Sequence, residues 1–280
     1  MDHASNALRG QVALVTGGGR GLGRAYAQTL AGVGAAVAVT SRTEAQVAET
    51  VSSILAAGGT AKGYPGDVSD RGAVERIVAA VEKDLGPIDL VVQAAGVGEP
   101  GGPLAEIDPD AWWRGVEINL RGPFLFLRTV LPGMLSRRRG RIINVASGTG
   151  TRAFPNMSSY VLGKTGLIRL TECVAAEIQG SGVSVFSISP GMVRTAMTEA
   201  VWSHPDAARW FPYMLEARDQ GKAVSPDLSA ALVLRLASGD MDSLSGIHVS
   251  VIDDLDALLA RKDEVKKREL HLLRLARLEP

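Results

Sequence analysis

Short β-branched runs alternate with longer amphipathic stretches through most of the chain. The strand-like runs are Val12–Thr16, Ala36–Thr40, Ala61–Tyr64, Leu90–Ala94, Arg141–Ala146, Val183–Ser189 and Ile247–Val251. Helical patterns fill the gaps over Leu22–Val33, Glu44–Ala57, Arg71–Leu85, Pro109–Met134, Met157–Gln179 and Pro226–Ala237. Such β–α alternation implies right-handed crossovers, and hence a doubly wound parallel sheet of about seven strands with helices on both faces. Gly58-Gly59 and Gly86-Pro87 stand at helix-to-strand returns, where helices stop. No linker or internal repeat interrupts residues 1–252, which read as one α/β domain.

Residues 253–280 break the pattern and read as a C-terminal helical extension. Asp253-Asp254 can cap a helix whose apolar positions include Leu255, Leu258, Leu259 and Val265. Leu270, Leu272, Leu273, Leu275 and Leu278 follow, interleaved with His271, Arg274 and Arg277. A lone surface helix would not expose that many leucines, so the extension is expected to dock on the domain or on a neighbouring subunit.

Composition narrows the function classes. Thirty basic residues balance thirty acidic ones, so no overall field draws the protein to nucleic acid or anionic membrane. The local run Arg137-Arg138-Arg139-Gly140-Arg141 reads as a solvated loop, with a phosphate or partner site as the alternative. Cys173 is alone, which excludes an intrachain disulfide, and its apolar helical setting predicts a buried packing role. His3, His204, His248 and His271 lack ligand spacing, so no metal site is expected. Met1–Asn6 shows no secretory pattern, and no apolar stretch reaches the ~20 residues of a membrane helix. A cytoplasmic location is the expectation.

Two stretches carry chemistry. Gly17-Gly18-Gly19-Arg20-Gly21-Leu22-Gly23 lies between the first strand and the first helix. Glycines there permit a tight turn and let backbone N–H groups approach a pyrophosphate at the positive helix end. At the end of the second strand, Ser41-Arg42 stands where an acidic residue would hold the ribose hydroxyls of NAD. Arg42, with Arg20, offers guanidinium forks suited to a 2′-phosphate, which favours NADP(H) over NAD(H); the alternative is two solvated arginines. Further on, Tyr160 and Lys164 are four residues apart and share a helix face, with Ser147 thirteen residues before the tyrosine. An ammonium beside a phenol stabilises the phenolate, so such a tyrosine can exchange protons with an alcohol or carbonyl near neutral pH.

In this order and spacing the motifs resemble the classical short-chain dehydrogenase/reductase family, in the branch of 3-oxoacyl-carrier-protein reductases and related alcohol dehydrogenases. Thr16-Gly17-x-x-x-Gly21-x-Gly23 matches the family's cofactor loop, and Ala95-Gly96 its segment after the fourth strand. Asp67-Val68 matches the pair that holds the adenine ring. Asn119, Ser147, Tyr160 and Lys164 match the catalytic set, and Pro190-Gly191-Met192-Val193-Arg194-Thr195 matches the segment whose threonine binds the nicotinamide carboxamide. The resemblance covers roughly residues 9 to 251. It implies a Rossmann-type fold, a homodimer or homotetramer, and interconversion of a secondary alcohol and a ketone. Tyr160 would then be the acid/base, and Ser147 would position the substrate oxygen. Lys164 would hold the nicotinamide ribose and lower the tyrosine pKa, and Asn119 would hold a relay water.

Departures from the family pattern are equally specific. Gln93 replaces the usual asparagine after the fourth strand, and its extra methylene puts the usual hydrogen bonds in question. The usual Asp-Gly-Gly ending is absent, and Val251-Ile252-Asp253-Asp254 opens the extension instead. Between Thr195 and Pro226 lie Met197, Trp202, Trp210, Phe211, Tyr213 and Met214. With Thr149, Phe154, Met157, Met192 and Val193, they could enclose an apolar carbonyl or alcohol substrate; the alternative is lid packing. An NADP-binding regulatory or scaffold protein is a rival reading, opposed by the complete catalytic set. An epimerase or dehydratase on the same scaffold is another, opposed by Arg42.

Overall fold

A computed structural model describes residues 7–275, so Met1–Asn6, Arg277 and Leu278 lie outside the described residues. Seven parallel strands form one sheet in the order β3-β2-β1-β4-β5-β6-β7. They are β1 (Val12–Thr16), β2 (Ala36–Thr40), β3 (Thr60–Gly63), β4 (Ile88–Gln93), β5 (Gly140–Val145), β6 (Val183–Ser189) and β7 (His248–Ser250). The helices between them are α1 (Gly21–Gly32), α2 (Glu44–Ala56), α3 (Arg71–Asp84), α4 (Pro109–Val116), α5 (Gly122–Arg137) and α6 (Ser158–Glu177). Four more, α7 (Ala196–Trp202), α8 (Ala207–Trp210), α9 (Pro212–Asp219) and α10 (Pro226–Ser238), precede β7. Strand order reverses between β1 and β4, and the crevice beyond the carboxyl ends there is where such sheets bind ligands.

Side-chain alternation along each strand explains the two-sided core. On β1, Ala13 and Val15 join one apolar cluster with Tyr26 and Leu30 of α1. Val12 and Leu14 point the other way, toward Val78, Phe126 and Val130. Both faces are therefore buried, as a parallel sheet demands.

The predicted helix Pro109–Met134 is not continuous. A π-helical segment, Glu117–Arg121, separates α4 from α5 and carries the buried Asn119. Aspartates cap α3 and α4, Asp70 accepting from Ala73 at 3.0 Å and Asp108 from Ala111 at 2.8 Å.

Gln93 reaches across the sheet. Its Nε2 donates to the Pro123 carbonyl and to Asn144 Oδ1, both at 3.1 Å, and Asn144 Nδ2 donates to Thr171 of α6 at 2.9 Å. The longer side chain thus keeps cross-strand bonding, while its own Oε1 is buried without a partner.

The extension docks on its own domain. Asp254 caps α11 (Leu255–Ala260), and α12 (Lys262–Lys267) follows. Val265 is buried in the α1-side cluster, with Leu255, Leu258, Leu259, Leu270 and Leu272 packed against it. His248 N donates to the His271 carbonyl at 2.8 Å, which caps the open edge of β7. Glu172 of α6 accepts from Leu273 N at 2.7 Å and from Arg274 at 3.1 Å.

Two surface expectations resolve differently. The arginine run is held locally: Arg137 donates to the Ile88 carbonyl, Arg138 to that of Gly180, Arg139 pairs with Asp89 and Arg141 with Asp242. Cys173 is exposed, contrary to the buried role its apolar setting suggested. That side of α6 faces outward and, with Trp113, Leu120, Phe124 and Leu170, lines an apolar groove of about 580 Å³.

Candidate active site

The glycine loop closes against the strand-four exit. A Cβ on Gly17, where φ is +66°, would lie 2.7 Å from Ala95 N, and one on Gly23 only 2.2 Å from the Gly17 carbonyl oxygen. Both positions exclude any side chain, leaving a bare backbone cradle at the start of α1. Leu22 packs back onto the core, and Arg24, which sequence reasoning did not single out, fixes the loop by donating to the Gly19 carbonyl at 2.7 Å. Gly21 and Thr195 come together: a Cβ on the former would be 3.6 Å from the threonine methyl. Thr195 starts α7 through a reciprocal cap with Thr198. Pro190, Gly191 and Val193 lead into it from β6, and Val193 is tied to Val224.

At the β2 end, Ser41 Oγ and Thr40 Oγ1 are buried without hydrogen-bond partners. Arg20 and Arg42 are both exposed, and among the described residues neither forms an ion pair. A dinucleotide fits this donor set: a cradle that admits only backbone, an orphaned hydroxyl next to Arg42 in the chain, and Arg20 on the glycine loop, both arginines uncommitted to an ion pair among the described residues. On the neighbouring loop, Asp67 accepts from Ser69 N at 2.9 Å and from Arg114 at 2.5 Å, and Val68 is buried. Burial pushes the Asp67 carboxyl up, but the Ser69 and Arg114 hydrogen bonds outweigh it and hold the group below its usual range.

The four catalytic candidates converge from separate elements. Asn119 is anchored by its amide, Nδ2 donating to the Val97 carbonyl at 2.8 Å and Oδ1 accepting from Val97 N at 3.1 Å. Gly163 permits this approach, since its Cβ would stand 2.7 Å from Asn119 Cβ. Gly96 likewise faces Asn119 Oδ1 and Lys164 Nζ. Lys164 is 4% exposed, and Nζ donates to the Val145 carbonyl at 2.8 Å. Burial alone lowers its pKa to about 8. Nζ lies 5.7 Å from the Tyr160 ring centroid, and the one hydrogen bond it makes goes to β5 rather than to the phenol oxygen, leaving its other two N–H donors for a ligand.

Accordingly, Tyr160 is not shifted down as the i, i+4 pairing suggested. Burial raises its pKa, and a hydrogen bond with the Ser147 side chain opposes this without reversing it. Ser147 Oγ accepts from the Thr149 N–H at 3.2 Å and from the Thr149 hydroxyl at 3.0 Å. With its acceptor side occupied by Thr149, the serine hydroxyl donates toward the Tyr160 oxygen, the place where a substrate oxygen would meet both groups.

The segment after Thr195 folds into α7, α8 and α9. Next to the glycine loop and the segment after β4 it encloses a cavity of about 230 Å³ lined by Arg20, Val97, Glu99, Met197, His204 and Phe211, among others. Phe211 also packs with Met157 and Val201, and Gly101 exists where its ring needs room: a Cβ there would be 2.5 Å from Phe211 Cζ. Trp202 is 9% exposed and Phe211 3%. Phe154 packs at a tilt against Tyr213, ring centroids 5.2 Å apart, Thr149 bonds to Ser147, and Met192 is partly buried beyond the lining. Glu99 and His204 line the cavity unforeseen, because sequence spacing gives no hint that residues 105 apart meet.

Known proteins resemble this chain along nearly its full length. The family described as short chain dehydrogenase matches residues 11–206. A short chain dehydrogenase of Pseudocercospora fijiensis is 34% identical over 92% of this chain and 85% of its own length. The 3-oxoacyl-[acyl-carrier-protein] reductase of Vibrio harveyi is 34% identical over 87% of this chain and 97% of its own. Among solved structures, a variant of actinorhodin polyketide ketoreductase with NADPH superposes with a TM-score of 0.79 at 31% identity, covering 86% of this chain and 95% of that one.

Proposed function

The chain belongs to the short-chain dehydrogenase family and is an NAD(P)-dependent oxidoreductase of an alcohol/ketone pair; from that premise we propose that it is an NADP(H)-dependent ketone reductase working through Tyr160. The carrying observation is the convergence of Ser147, Tyr160, Lys164 and Asn119 beside the glycine cradle. The bound nicotinamide would supply hydride to the substrate carbon. Tyr160, kept protonated by burial, donates its phenolic proton to the carbonyl oxygen as charge develops there. Ser147 donates a hydrogen bond to the same oxygen and fixes its position. Lys164 remains largely protonated at neutral pH, and its ammonium holds the nicotinamide ribose. Asn119 ties the π segment to the strand-four exit, leaving one amide N–H and its main chain for a relay water.

NADP(H) is preferred over NAD(H) in this reading because the β2 end carries Arg42 and the orphaned Ser41 hydroxyl in place of an acidic residue, with Arg20 free on the glycine loop to reach the same phosphate. The substrate is an apolar ketone or its alcohol, enclosed by Met197 and Phe211 under the lid. The relatives that reduce oxoacyl or polyketide chains support this class. A second copy of the chain covers the apolar groove on α4–α6, where Trp113 is 60% exposed and Phe124 47%. No described helix is long and apolar enough to cross a membrane.

A panel of ketones and alcohols, read by NADPH absorbance, tests the assignment. NADPH oxidation with apolar ketones is expected. No turnover with any ketone or alcohol, despite NADPH binding, would leave the scaffold reading standing instead.

A further inference from the structure

Arg114 belongs to none of the motifs that point to function, yet it hydrogen-bonds both Asp67 and Ser69 of the loop after β3. It projects from α4 to the loop after β3, 47 residues away in sequence. Its Nη2 donates to Asp67 Oδ2 at 2.5 Å, and its Nη1 donates to Ser69 Oγ at 2.6 Å. Ser69 Oγ in turn donates to Asp67 Oδ1 at 2.6 Å, with Ser69 N on the same oxygen at 2.9 Å. Seven residues further on, Arg121 donates to the Ser69 carbonyl at 2.6 Å. Glu117 lies between the two arginines, 3.5 Å from Arg114 and 3.9 Å from Arg121. Gly122 completes the contact, its missing Cβ leaving room for Val68, which would otherwise be 2.9 Å away.

The helix side that bears these arginines therefore clamps the Asp67-Val68 loop, while the π segment presents Asn119 to Val97. An exposed carboxylate on a loop samples several rotamers, each of which a ligand would have to select. A guanidinium fork and a serine holding both of its oxygens leave one orientation. Oδ2 retains a lone pair beyond the Arg114 bond, so the held carboxylate can still accept from an exocyclic amine.

We infer that Arg114 is a positioning residue for the cofactor: it fixes Asp67 for the adenine ring and so sets affinity for the adenosine half of the dinucleotide. This rests on the reading that Asp67-Val68 faces adenine. Because adenine is common to both cofactors, the effect is blind to the 2′-phosphate, unlike that of Arg42.

The test is fluorescence titration of the full chain with NADPH, NADH and reduced nicotinamide mononucleotide, which lacks adenine. Arg114→Ala should weaken both dinucleotides equally, by about tenfold, the scale of one charge-assisted contact. Reduced mononucleotide binding should not change, a separation that general loosening of the fold would not produce. Arg114→Lys should recover part of the loss, keeping the charge without the fork; it also serves if the alanine variant fails to fold. Asp67→Asn is run alongside. Weakened binding in Asp67→Asn with unchanged binding in the Arg114 variants overturns the inference alone. Unchanged binding in both overturns it together with the adenine assignment. Tighter dinucleotide binding in Arg114→Ala would mean that the arginine competes with adenine, and contradicts it outright.

Discussion

The two ends of the crevice are built by different means. The nucleotide end is backbone: Gly17 and Gly23 pass so close to Ala95 and to each other that no side chain fits, and the strand–turn–helix geometry does the rest. The lid end is side chains: Phe211, Met157, Val201 and Trp210 pack together around short helices, and Phe211 and Val201, with Met197 and His204, wall the cavity over the segment after β4. A backbone site tolerates almost no substitution and serves one ligand class. A packed lid changes shape with each side chain, so one scaffold can serve many substrates.

Breaking the nucleotide end should have the largest effect. Gly23→Ala places a Cβ on the Gly17 carbonyl and should cut turnover by roughly a hundredfold or more, as a 1 Å misplacement can. Dinucleotide titration would show the loss at the binding step, and near-normal affinity would contradict the cradle. At the lid, Phe211→Ala should leave NADPH affinity unchanged while shifting the kcat/KM ratio between a bulky and a small ketone about tenfold toward the bulky one. An unchanged ratio would make Phe211 purely a packing residue.

Smaller effects sharpen the boundary. Arg42→Ala should reduce the preference for NADPH over NADH by about tenfold, leaving NADH kinetics as they are. Equal effects on both cofactors would show that Arg42 is only solvated. The least is a pH effect on stability. Lys164 holds its proton up to about pH 8 in the fold but up to its ordinary 10.5 when unfolded. Between those values the unfolded chain binds more protons, so stability rises with pH across that window. Denaturant melts should show the rise in the wild type and lose it in Lys164→Met.

The same division governs what the sequence reveals. Strand runs and the glycine loop were legible because local patterns determine them: β1, β2 and β6 begin and end where their apolar runs do. The π segment around Asn119 was hidden within an unbroken helical pattern, since it depends on Val97 from another element. Arg114 on Asp67 was hidden for the same reason. Cys173 misled because α6 is apolar on an outer face as well as an inner one. For Tyr160 the i, i+4 spacing placed Lys164 correctly on its helix face, but the ammonium finds the Val145 carbonyl instead of the phenol. Spacing gave the residues, and only packing gave their partners.

Tyr160→Phe removes one oxygen from the point where every element of the site meets, and its turnover and NADPH affinity can be measured on the same sample. With Tyr160 as the proton donor, NADPH affinity should stay within about twofold of wild type while kcat falls on the order of 10²–10⁴-fold. Turnover close to wild type, with NADPH bound normally, would contradict the assignment.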